Sequence, residues 1–202
     1  AQKGTYLRTK IEQYQLDKVI GLGRIWRITH DSKERDKTKP KMFDKTPDEL
    51  ITYLEHPNGW WRDKAQQLIV LSRDQSTVPE LRKVALSKKN QFARTHAIWC
   101  LEGLGALQTD LLTTLFKDPN PKIRIQAIRA SETLYKSGNK SLATSYLKLL
   151  EDENIDVALQ AMLTVKFLDI PDYQKALSKI VKTNQAKGIQ TVGSQILTPT
   201  KQ

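Results

Sequence analysis

The chain has 202 residues, of which 39% are hydrophobic, and its 33 Lys and Arg against 22 Asp and Glu give a net charge of +11. A chain of this length can bury a core, and no apolar run approaches the roughly 20 residues that a membrane-spanning helix needs. The positive excess is spread along the whole chain, which is more typical of a solvated surface than of a stripe that follows nucleic-acid phosphates.

The N-terminal part differs from the rest. The chain begins with Ala1 and has no signal peptide, so we expect a processed product or a fragment of a longer protein. Residues 5–15 predict a short helix, and the string GLGRIWRIT at 21–29 predicts a turn and a strand. Because one strand is not stable alone, residues 1–30 are either an edge piece packed on the first helices or the remnant of a preceding β domain. The polar residues 31–45 predict a linker.

From residue 46 onward the pattern predicts helices joined by short turns, over a domain that ends near 183. Thr46 is a predicted N-cap, with Pro47 at the first helical position, and Asn58 and Asn120 are predicted N-caps of later helices. Ser141 is expected to cap a helix over 142–150. Residues 184–202 contain scattered Gly, Thr and Pro, and we expect a tail or linker there.

An Arg-x-x-Ala pattern recurs within these helices. It occurs at 62–65, 94–97 and 124–127, and in weakened form at 158–161, so that its alanines are 32, 30 and 34 residues apart. This period is typical of stacked helical repeats. The sequence therefore predicts an all-α fold, a right-handed α-α superhelix of about four to five helix pairs. The pattern resembles HEAT repeats, best at residues 118–127, where DPNPKIRIQA matches Asp-x-x-x-x-Val-Arg-x-x-Ala.

A narrower resemblance depends on three strings: GLGRIWRI at 21–28, HPNGWWRD at 56–63 and AIWCLEGLG at 97–105. In this order they resemble the region that joins a β-propeller to a HEAT array in large secreted bacterial proteins, the membrane-bound dehydrogenase or c-type cytochrome family. The resemblance implies that residues 1–30 are the remnant of a quinoprotein-dehydrogenase-like propeller and that the setting is periplasmic or secreted. It also implies that haem or PQQ would be bound by other domains of the parent protein. This chain has no Cys-x-x-Cys-His string, and we expect no cofactor in it.

The candidate interaction residues are Trp60, Arg62, Arg94 and Arg124. Trp61 follows the apolar stripe and is expected in the core, whereas Trp60 is either a boundary residue or a partner contact. The three arginines are expected to form a ladder with carboxylates of the neighbouring repeat, such as Asp63 or Asp118; alternatively, they line a concave anion site.

Two further side chains have chemistry that needs an interpretation. His96 is expected to be hydrogen-bonded and structural, since no second ligand has metal spacing with it. The only cysteine, Cys100, lies in an apolar run, so we interpret it as a small buried hydrophobic residue.

These observations predict a non-catalytic scaffold or interaction module of a larger exported redox protein, whose partners are neighbouring domains or another protein. No Ser-His-Asp set, paired carboxylates or phosphate-binding loop indicates an enzyme. The alternative is a HEAT-like DNA-binding protein or alkylpurine DNA glycosylase, which this chain resembles in size, charge and tryptophan content. That alternative needs basic residues on one concave face and an acid near aromatic side chains, and we do not expect nucleic acid as the partner.

Overall fold

A computed structural model describes residues 2–18, 31–32, 38–39 and 41–198 of the protein. Within these ranges the regular structure is helical, with eleven α-helices, four short 3-10 turns and no strand. The predicted all-α class is confirmed for this part of the chain. The strand predicted at 21–29 lies outside the described residues, so the β remnant stays a prediction.

The chain divides into two units, residues 1–39 and residues 40–202. In the first unit, α1 covers Tyr6–Gln13, as the sequence predicted. The second unit contains the other ten helices: α2 Pro47–Thr52, α3 Gly59–Ser72, α4 Val78–Leu86, α5 Gln91–Gly103, α6 Thr109–Leu115, α7 Pro121–Lys136, α8 Ala143–Leu149, α9 Ile155–Phe167, α10 Tyr173–Thr183 and α11 Lys187–Leu197. Within the described ranges, no helix is long and apolar enough to cross a membrane.

The longer helices of the second unit begin with the same cap. Asn58, Asn90, Asn120 and Asn154 each accept a hydrogen bond from the backbone N–H two residues later, at the starts of α3, α5, α7 and α9. A side-chain oxygen at this position satisfies an N–H group that has no partner inside the helix. The predicted caps Asn58 and Asn120 are confirmed.

Two other predicted caps have different outcomes. Thr46 caps α2 in a full capping box with Glu49, as expected. Ser141 does not cap α8, because Asn139 accepts from the Ser141 N–H and holds a 3-10 turn ahead of that helix. Asn139 takes the capping role in place of Ser141, because an asparagine side chain can accept the backbone N–H two residues later.

The helices with the repeated pattern pack in succession: α3 contacts α5, α5 contacts α7, α7 contacts α9, and α9 contacts α11. The shorter helices lie against them, α2 on α3, α4 on α5, α6 on α7, and α8 on α9. The repeated alanines Ala65, Ala97, Ala127 and Ala161 are 0% exposed. Small side chains at these positions allow the neighbouring helices to approach closely. Helix-helix packing is thus present throughout residues 47–197.

Residues 187–197, which the sequence predicted to be part of a tail or linker, instead form α11 and pack on α9 and α10. Ile189 and Gly193 are buried in this contact. A Cβ at Gly193 would clash with Val181 and lie 2.9 Å from Met162 Cε, so the glycine is what allows the helix to dock. Glycine lowers intrinsic helix propensity, and here tertiary packing overrides that preference.

Candidate functional site

Arg94, on α5, forms a buried ion pair with the next repeat. It is 5% exposed and binds both carboxylate oxygens of Asp118, with Nη1 3.2 Å from Oδ1 and Nη2 in contact with Oδ2. Its Nε donates to the Ala85 carbonyl at 2.9 Å. The expectation that one of the repeated arginines pairs with Asp118 is therefore confirmed; that arginine is Arg94, in the two-pronged geometry that an arginine fork favours.

Arg124, on α7, also pairs with a carboxylate of the turn before the next helix of the series, but through different hydrogen bonds. Its Nη2 donates to Asp152 Oδ1 at 2.7 Å and its Nη1 donates to the Asp118 carbonyl at 2.8 Å. Asp118 and Asp152 each stand two residues before an N-cap asparagine, and the Oδ1 of each accepts the N–H of that asparagine at 2.9 Å. The local turn thus fixes each carboxylate before the arginine reaches it. The sequence did not single out Asp152, although its spacing from Asp118 follows the repeat.

Arg62, on α3, has a different set of partners. Its Nη1 donates to the carbonyls of His56 at 2.6 Å and Pro57 at 2.9 Å. Among the described residues no carboxylate lies within 4.0 Å of it, and the Phe92 ring centroid is 4.7 Å from its Cζ. The expected carboxylate partner from a neighbouring repeat is therefore absent for Arg62 among the described residues, and Asp63 pairs with none of the three arginines. Asp63 lies 4.0 Å from His96 Nε2 instead.

The two adjacent tryptophans divide between core and surface. Trp61 is 7% exposed and stacks on His56 with ring centroids 4.8 Å apart, as expected for a core residue. Trp60 is 48% exposed and contributes to an apolar groove of about 260 Å³. The groove is lined by Met42, Phe43, Trp60, Lys64, Gln67, Leu68 and Leu71. An exposed aromatic side chain with apolar neighbours has the composition of an interface core.

Polar side chains also connect the successive helices. His96 Nδ1 lies 2.7 Å from Gln66 Oε1, Trp99 Nε1 donates to Gln126 at 2.8 Å, and Thr133 donates to Glu102 at 2.7 Å. His96 is therefore hydrogen-bonded structure, as expected. Each of these links joins residues about 30 positions apart, so the repeat period was the signal that could have identified them.

The chemistry of the titratable groups fits a structural role. Burial lowers the pKa of His96, Asp63 opposes that change, and the charge of Arg62 adds to it. Burial raises the pKa of the Cys100 thiol to about 12, so little thiolate forms near neutral pH. In the part of the chain that the structure describes, no group of three or more His, Cys, Asp or Glu could hold a metal ion.

No protein-family model matches the sequence, and neither does any curated protein.

Proposed function

We propose that residues 46–197 form a right-handed HEAT-like superhelix that works as a non-catalytic interaction module. The carrying observation is the recurrence of one contact: Arg94 to Asp118, and Arg124 to Asp152. Each pair joins an arginine on one helix to the turn that opens the next helix of the series. Equivalent contacts at equivalent positions are what a stacked repeat produces, since each unit contacts its neighbours in the same way.

The binding surface in this proposal includes the Trp60 groove. An apolar groove with a half-exposed tryptophan suits a protein partner, because tryptophan provides a large rigid contact area and is frequent among residues that dominate binding. The proposed partner is a neighbouring domain of the same parent or another protein. From the sequence resemblance, the parent is an exported redox protein of the bacterial envelope, and its haem or PQQ would be bound outside this chain.

The nucleic-acid alternative receives less support from the charges. Arg94 and Arg124, two of the three repeated arginines, are buried and engaged with carboxylates, so they offer no free positive charge to phosphates. We expect no duplex-DNA binding even at low salt. Binding that weakens steeply as salt is added would favour the DNA-binding alternative.

The proposal is tested first on the complete reading frame, which should encode an upstream propeller and a downstream Cys-x-x-Cys-His. The separately produced propeller is then titrated into this chain by calorimetry. Trp60→Ala should weaken binding by at least about tenfold, as expected for an aromatic residue at an interface centre. Phe167→Ala is the control, because Phe167 is another half-exposed aromatic residue but lies on α9. A frame with neither element, or equal effects of the two variants, would overturn the proposal.

A further inference from the structure

Arg62 and Arg124 hold their guanidinium groups in nearly the same way. In both, Nη1 donates to the carbonyl six residues earlier, that of His56 for Arg62 and that of Asp118 for Arg124. In both, Nε is buried and has no partner among the described residues. The difference is at Nη2, which binds Asp152 in Arg124 and has no hydrogen-bond partner among the described residues in Arg62.

The missing partner has a cause in the sequence. The carboxylates that bind Arg94 and Arg124 stand two residues before the caps Asn120 and Asn154. The corresponding position before Asn90 is Lys88, an exposed cation. The turn before α5 contacts the segment before α3, because Asn90 Nδ2 donates to the Glu55 carbonyl at 3.4 Å, next to His56. At this junction a positive charge therefore replaces the carboxylate that the other two arginines receive.

Arg62 is half-buried, and of its nitrogens that lack a hydrogen-bond partner among the described residues only Nε is fully buried, so Nη2 keeps contact with solvent. Phe92 stacks on the guanidinium, and a ring on the face leaves the in-plane N–H groups available to an acceptor. A Cβ placed on Gly59 would lie 3.4 Å from Arg62 Nη2, so this end of the guanidinium lies over the first turn of α3. Phe92 itself is 57% exposed, so an incoming group could contact both side chains.

We propose that Arg62, with Phe92 beside it and with Lys88 at the sequence position where the other two junctions have a carboxylate, binds a carboxylate side chain from an acidic segment of a protein partner. The chain shows the chemistry itself, since the same guanidinium edge of Arg124 holds a carboxylate. The positive charge of Lys88 disfavours another cation of the chain and favours the negatively charged carboxylate of a partner. Neither Asp63 nor Glu55 forms an ion pair with Arg62 among the described residues, and Asp63 lies 4.0 Å from His96 Nε2 instead. This site rests on the proposed function as an interaction module and names the chemistry of its partner.

The test uses an N-acetylated, C-amidated peptide of six glutamates, titrated into the whole chain with labelled arginine side chains. The Nε–Hε NMR signal of Arg62, assigned by its loss in Arg62→Lys, should shift and saturate while those of Arg94 and Arg124 stay in place. Lys88→Asp should weaken the binding by at least about tenfold, because it supplies an internal carboxylate that occupies the guanidinium edge.

Lys89→Asp is the matched control, because it makes the same charge change at the next exposed position and should weaken binding by less than about threefold. Equal effects of the two lysine variants, or equal shifts of all three arginines, would reduce the result to general charge attraction and overturn the site. If inorganic phosphate at the same ionic strength shifts the Arg62 Nε–Hε signal more than the glutamate peptide does, the carboxylate assignment is overturned. Trp60→Ala should leave this titration unchanged, so failure of this site and failure of the Trp60 groove are separate results.

Discussion

The first junction of the helix series differs from the two that follow it. Between α5 and α7, and between α7 and α9, a buried arginine binds the carboxylate of the next turn. Between α3 and α5, Arg62 occupies the matching helix position, but it contacts backbone carbonyls and the ring of Phe92. We call a junction closed where the arginine binds a carboxylate of the next turn, and open where it does not. At the open junction Lys88 stands where the closed junctions have an aspartate. Where successive helices pack in the same way, the loss of one carboxylate thus leaves an arginine without the partner that holds the other helices together.

The largest expected effect comes from breaking a closed junction. Arg124→Met leaves the carboxylate of Asp152 nearly buried without its partner, which should lower the free energy of unfolding by about 3–5 kcal/mol. Arg62→Met strands no carboxylate and should cost about 1 kcal/mol, for its lost hydrogen bonds. Urea denaturation followed by circular dichroism measures both values.

The double variant Arg124→Met with Asp152→Leu is the control for this difference. Replacing both members of a buried ion pair by apolar side chains should recover most of the lost stability, since no unpaired charge remains. If Arg62→Met and Arg124→Met destabilise the protein equally, the distinction between open and closed junctions is wrong.

The next effect concerns the opposite end of the series, where α11 closes on α9 and α10. Gly193→Ala places a methyl group against Val181, and should cost about 1–3 kcal/mol despite the better helix propensity of alanine. Gly188→Ala is the control, because its nearest neighbour is the flexible end of Leu159 at 3.2 Å. Thermal unfolding compares the two. A stabilising Gly193→Ala would show that α11 does not dock as described.

The features that were predicted correctly from sequence are local or periodic. Thr46 and Asn58 could be assigned as caps because a cap depends on residues within one turn. Asp118 could be named as a partner of the repeated arginines because a repeat places equivalent positions together. These inferences needed no knowledge of how the helices cross.

The features that were missed depend on contacts between distant residues. Gly188 and Gly193 made residues 187–197 look like a tail, since the value of a small residue at a helix contact appears only once the neighbour is placed. The apolar spacing of Ile189 and Ile196 was the signal that remained. Likewise, the open edge of Arg62 follows from Lys88, and this relation is visible only when the turns before successive helices are aligned.

A smaller effect is expected from closing the first junction. Lys88→Asp should give Arg62 the partner that Arg124 has, and raise the free energy of unfolding by about 0.5–1 kcal/mol. A double-mutant cycle with Arg62→Met should show that the gain disappears when the arginine is absent. Lys89→Asp is again the control and should show no coupling to Arg62. A gain that persists in Arg62→Met would mean that Lys88→Asp acts by lowering the overall positive charge.

The smallest effect is a pH dependence of stability at the first junction. Burial lowers the pKa of His96, Asp63 opposes that change, and the charge of Arg62 adds to it. Because the folded value lies below the ordinary 6.5, the unfolded chain binds more protons between the two values, and stability falls as pH drops through this window. His96→Gln should flatten this part of the dependence, on the acid side of the ordinary value of 6.5, since glutamine does not titrate there. Arg62→Met should raise the His96 pKa in an NMR titration, whereas Arg124→Met should not. A His96 pKa that does not respond to Arg62→Met would show that the open guanidinium has no electrostatic influence on its own junction.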